Sequence, residues 1–123
     1  TASSLRDFDY AREIGGVILE VSEDGARSWK TLAEIPIPAD VVYPPRFCEP
    51  HVAELPDGKL VVLVRDELEG HPMWQSTSTD GGRTWSPIRK SGFTGLPPHL
   101  RVLPDGRLLC TYASRQPGDC QFS

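Results

Sequence analysis

Short apolar runs alternate along this chain with clusters of Gly, Pro, Asp and Ser. No stretch places apolar positions at helical spacing between capping residues. The runs predict eight strands: 15–21 (GGVILEV), 29–35 (WKTLAEI), 51–55 (HVAEL), 59–65 (KLVVLVR), 73–78 (MWQSTS), 84–90 (TWSPIRK), 99–103 (HLRVL) and 107–113 (RLLCTYA). Between them fall Asp-Gly turns at Asp24-Gly25, Asp57-Gly58, Asp80-Gly81 and Asp105-Gly106. The run 59–65 is almost continuously apolar, which suits a strand covered on both faces. The expectation is an all-β chain.

Two pairs of segments repeat. PHVAELPDGKLVVLV at 50–64 and PHLRVLPDGRLLCTY at 98–112 share 7 of 15 positions at a spacing of 48. SEDGARSW at 22–29 and STDGGRTW at 78–85 share 5 of 8 at a spacing of 56. The mismatch sits in one connection, which a loop absorbs at small cost. Strand modules recurring at this period read as β-propeller blades of four antiparallel strands. The organisation expected is an N-terminal extension over 1–14, a half blade over 15–46, a complete blade over 47–94, a half blade over 95–116 and a tail over 117–123. That amounts to about two blades. Three chains of eight strands would fill six blades, so a strand-exchanged homotrimer is one expectation and membership of a longer chain is the other.

The segment S-x-D-G-x-R-[ST]-W resembles the Asp-box, or bacterial neuraminidase repeat. An Asp in a glycine-rich turn can accept bonds from its own backbone amides, and a following Trp can lock the turn to the core. Ser22, Asp24, Gly25 and Trp29 form the first box, which departs from the pattern at Ala26 and Ser28. Ser78, Asp80, Gly82, Thr84 and Trp85 form the second, which matches throughout. In that family the box is structural.

The chemistry-bearing residues lie where the 48-residue copies differ. If Pro56-Asp57-Gly58 is a three-residue hairpin loop, Leu55 faces Lys59 and Glu49 falls opposite Arg65 on one face. The second copy has Pro97 and Ala113 at those places, so the scaffold does not require the pair. Glu49 and Arg65 are therefore candidate functional residues. His51 and His99 share one repeat position, which gives them a common scaffold role. Trp74 reads as strand packing and 65–73 (RDELEGHPM) as a solvated loop.

The stretch FCEPHVAELPDGKLVVLVRDE, followed by STSTDGGRTW, is similar to the middle of bacterial exo-α-sialidases. The resemblance implies a six-bladed propeller that hydrolyses terminal sialic acids from glycoconjugates. Three arginines of that family clamp the sugar carboxylate with fork geometry. A tyrosine activated by a glutamate attacks, outside the usual two-carboxylate scheme, and an aspartate serves as acid/base. By motif, Glu49 matches the activating glutamate and Arg65 the second arginine; Cys48 and His51 flank them as lining residues, with Arg115 a stand-in for a further clamp arginine. The remaining site residues have no match, so one chain alone lacks most of the catalytic set. The alternative is a non-catalytic propeller module that binds glycan or protein.

Composition narrows the partners. A net charge of −4 without a basic stripe disfavours nucleic acid; the acidic glycan expected as ligand is what the sialidase resemblance implies. No run approaches a membrane span, and the first residues show no signal peptide. Cys48, Cys110 and Cys120 suit neither a disulfide framework nor a zinc site, so no metal or cofactor is expected and the compartment stays open.

Overall fold

The computed structural model describes residues 2–9, 14–41, 46–68 and 70–114. All regular structure among them is β, in antiparallel sheets. The first sheet holds β1 (Ala2–Asp9), β2 (Ile14–Val21) and β3 (Lys30–Glu34) in that order. The second holds β4 (Phe47–Glu54), β5 (Leu60–Asp66), β6 (Trp74–Ser78) and β7 (Arg89–Lys90) in that order. The third pairs β8 (Leu96–Val102) with β9 (Leu108–Ala113).

Two of these elements differ from the sequence expectation. The segment 1–14 does not merely extend the chain: its residues 2–9 form β1, which pairs along β2 from Ala2↔Glu20 to Asp9↔Ile14. Its polar composition hides it, because an edge strand needs no continuous apolar run. At 84–90, only Arg89 and Lys90 join the ladder. Pro87 has no N–H to give, and the Ile88 amide donates instead to Pro36 O in the connection after β3, at 2.8 Å. Nine strands therefore stand among the described residues, one more than the eight expected.

The cores lie between sheets. Val17, Leu19 and Ile35 from the first sheet region meet Phe47, Val62, Val64, Trp74, Trp85 and Ile88 from the second. A smaller cluster joins Leu63 and Met73 to Leu100 of the third sheet. Strand β5 serves both, as its continuous apolar run requires: Val62 and Val64 turn one way and Leu63 the other. Full burial of each such side chain contributes roughly 1.5–3 kcal/mol.

Candidate functional site

The hairpin that positions Glu49 closes as the sequence requires. Leu55 N donates to Lys59 O at 2.8 Å, and Gly58 N donates to Leu55 O at 2.8 Å. Asp57 accepts from Lys59 N at 3.0 Å, and Gly58 sits at φ 85, a region costly for any side chain. The second repeat builds the same loop: Leu103 N donates to Arg107 O, Asp105 accepts from Arg107 N, and Gly106 lies at φ 86.

From that loop the ladder runs in register back to His51↔Leu63, then shifts by one. Beyond the shift, Cys48 faces Arg65 and Phe47 faces Asp66. Glu49 and Pro50 occupy a β-bulge, with Glu49 at φ 49. The expected backbone pairing of Glu49 with Arg65 is thus corrected: the extra residue displaces Glu49 from the ladder. The side chains meet all the same, Arg65 Nη1 donating to Glu49 Oε2 at 3.0 Å. The third sheet shifts register at the matching place, between Leu96 and His99, with Pro97-Pro98 in the bulge. The bulge belongs to the scaffold; the carboxylate and the guanidinium do not.

Arg65 is 18% exposed and Glu49 45%. The bond from Glu49 raises the Arg65 pKa above its already high value, so the guanidinium is a permanent cation. Its Nε is buried and has no hydrogen-bond partner among the described residues. Cys48 lies beside it, and burial pushes its thiol up, out of the range of a ready thiolate.

His51 takes another role. Its Nδ1 accepts from the Leu100 amide at 3.1 Å, across to the third sheet. Arg115, Tyr43 and Cys120 lie outside the described residues. Tyr112 rests its ring on Gly95, where an added Cβ would run into Tyr112 Cδ2, and it faces Phe93 at 5.2 Å between centroids.

The segment 65–73 is not simply a solvated loop. Asp66 is 5% exposed and accepts from Trp74 Nε1 at 3.1 Å and Leu68 N at 3.1 Å, with His71 Nδ1 at 3.2 Å. The signal was the alternation of β5: Asp66 continues the parity of Val62 and Val64, the face that meets the first sheet. Trp74 does pack in the strand, edge-on to Phe47 at 5.8 Å.

Both Asp-boxes close on their own aspartates. Asp24 accepts from Ser22 Oγ at 2.9 Å, Arg27 N at 3.0 Å, Ser28 N at 2.9 Å and Ser28 Oγ at 2.6 Å. Asp80 accepts from Ser78 Oγ at 2.8 Å, from Thr84 N at 2.9 Å and from Thr84 Oγ1. These donors, first the Ser28 and Thr84 hydroxyls, hold each carboxyl at a pKa of about 2.

The tryptophans differ. Trp85 is 7% exposed and donates to Gly82 O at 2.9 Å, whereas Trp29 is 46% exposed. The expectation that the box Trp buries its ring holds for the second box and not for the first. Gly82 lies under Leu32 and Leu60 of adjoining sheets, where a Cβ would meet both at 3.2 Å. Ala26, at the corresponding place, is exposed, so its methyl has room, although its φ of 69 is still a costly one for a non-glycine residue.

A groove of about 480 Å³ runs along Pro38, Val41, Trp74, Ile88 and Arg89. It is separate from Glu49 and Arg65.

A family model described as a BNR repeat-like domain matches residues 9–118. Among solved structures, the chain is similar to a protein of unknown function from Dyadobacter fermentans DSM 18053, with a TM-score of 0.81 and 29% identity over 94% of the chain. The chain spans 30% of the length of that protein. No curated protein matches it.

Proposed function

The chain belongs to the BNR repeat-like domain family, and on that premise we propose that it is a segment of a sialidase-type β-propeller in which Glu49 and Arg65 form part of a site for a terminal sialic acid. The observation that carries this reading is the bulge. Two repeats build it, and only one places a carboxylate there, bonded at 3.0 Å to a guanidinium that the other repeat lacks. A permanent, partly exposed guanidinium, which presents a fork of N–H donors, suits a ligand carboxylate. In the sialidase-type scheme Arg65 grips that carboxylate, and Glu49 orients Arg65 while standing ready to activate a tyrosine hydroxyl. Hydrolysis is assigned to an assembled ring, in which other strands supply the tyrosine, the acid/base aspartate and the remaining arginines.

A second reading rests on a specific contact. The Glu49 carboxylate is bonded to Arg65, while Tyr112 is committed to Gly95 and Phe93. This arrangement suits a non-catalytic module that binds acidic glycans. A fluorogenic sialoside assay, run with sialic acid binding by calorimetry, separates the two. Turnover lost in Glu49→Ala supports hydrolysis, and binding without turnover, lost in Arg65→Ala, supports the module. Neither turnover nor binding would remove both readings.

A further inference from the structure

The second and third sheets meet along β4 and β8, and a histidine from each stands at the seam. Strand β8 is the free edge of a two-stranded sheet, so amides on its outer side have no ladder partner. One of them, Leu100 N, donates to His51 Nδ1 at 3.1 Å. An amide can donate only to a ring nitrogen that carries a lone pair, so this imidazole is neutral with its proton on Nε2. His99 lies alongside, with ring centroids 4.6 Å apart and planes at 50°. The two histidines hold the same repeat position, and the seam brings both copies of it together.

We propose that this seam is a proton-operated latch: protonation of His51 at Nδ1 breaks its bond to Leu100, sets a cationic ring against the neighbouring His99, and frees β8–β9 from the second sheet. Strands β1, β2, β5 and β8 pack against the strand that carries His51. Strand β5 faces it with Leu63, and β8 brings His99, with Arg101 further along. Strand β9 places Cys110 opposite Leu100. Strand β1, which also approaches β4, carries Arg6, Asp7 and Asp9.

Burial, and secondarily the charge of His99, hold the His51 pKa below its ordinary value. The unfolded chain therefore takes up the proton first. The stabilisation is complete above about pH 6.5 and is lost as pH falls through the lower folded value. Leu100 is 4% exposed within the cluster it shares with Leu63 and Met73, so release of the latch opens that cluster. Glu49 lies two residues from His51, so the same event loosens one wall of the bulge.

The test uses the full chain and needs no ligand. His51→Asn puts an amide oxygen near the place of Nδ1 and cannot take a proton, while His51→Phe keeps a ring and removes the acceptor. Urea unfolding is followed between about pH 8 and pH 5, the range in which an imidazole titrates. The expected result is a wild-type midpoint that falls, relative to His51→Asn, as pH drops below the ordinary imidazole value. Exchange of the Leu100 amide, corrected for its intrinsic rate, should accelerate in parallel. His99→Gln removes the like charge, so release should move to higher pH. The Asp66–His71 contact is present in wild type and His51→Asn alike and cancels from their difference. Parallel pH profiles for wild type and His51→Asn, or a Leu100 amide whose protection ignores pH, would overturn the proposal, whatever becomes of His51→Phe.

Discussion

Glu49 and Arg65 are hydrogen-bonded at 3.0 Å although Cys48, not Glu49, stands across the ladder from Arg65. Glu49 reaches its partner from a left-handed backbone position at φ 49, which costs a non-glycine residue about 1–2 kcal/mol. The ion pair returns little, because its carboxylate is 45% exposed and screened by water, and such pairs contribute about 0–1 kcal/mol. Glu49→Gly should therefore be more stable than Glu49→Ala by about 1 kcal/mol and no less stable than wild type. A double-mutant cycle with Arg65→Ala should show coupling below about 1 kcal/mol. Chemical unfolding of wild type, the three single variants and the double variant Glu49→Ala/Arg65→Ala checks both values. A large loss in Glu49→Gly would mean that the carboxylate is a structural anchor and not a functional group.

The two box tryptophans should separate cleanly in calorimetry. Trp85→Ala empties a buried seat between sheets and removes the bond to Gly82, at a cost of about 3–5 kcal/mol. Trp29→Ala removes a ring already 46% exposed and should cost under about 1.5 kcal/mol. Equal losses would contradict the difference in burial.

Acid should weaken the boxes late. Asp80 has its pKa lowered to about 2, so its contribution is present above the unfolded carboxyl value near 4 and disappears as pH falls through about 2. The stability difference between wild type and Asp80→Asn should stay level from about pH 7 to pH 5 and shrink below about pH 4. A difference that shrinks from pH 6 would point to another group.

Asp66 should be among the least replaceable carboxylates of the chain. Asp66→Ala strands the Trp74 indole N–H and the Leu68 amide in a buried place, at a cost of about 3 kcal/mol. Asp66→Asn should recover part of this, since its oxygen can still accept one bond. Unfolding midpoints and the indole proton shift of Trp74 report both effects.

What the sequence disclosed followed from short-range rules. Asp-Gly turns, the continuous apolar run of β5 and the 48-residue repeat fixed the hairpins, the all-β class and the nearness of Glu49 to Arg65. Strand β1 escaped because edge strands may be polar. The bulge escaped although both copies carry a proline there, Pro50 and Pro98, because a proline marks an edge strand or a strand start as readily as a bulge. Burial of Asp66 escaped because its partners, Trp74 and His71, come from the far side of a loop. The exposure of Trp29 escaped because motif similarity says nothing about what covers a ring.

Strand β5 sends neighbouring residues into different cores, Leu63 to one and Val62 with Val64 to the other. A slip of one residue would hand each core the wrong side chains and would also turn Arg65 and Asp66 about, burying the cation and baring the acid. The register irregularity in this hairpin is confined to its partner strand. A change in the spacing of β4 is thereby absorbed within β4 itself, and the central strand keeps its address to both cores.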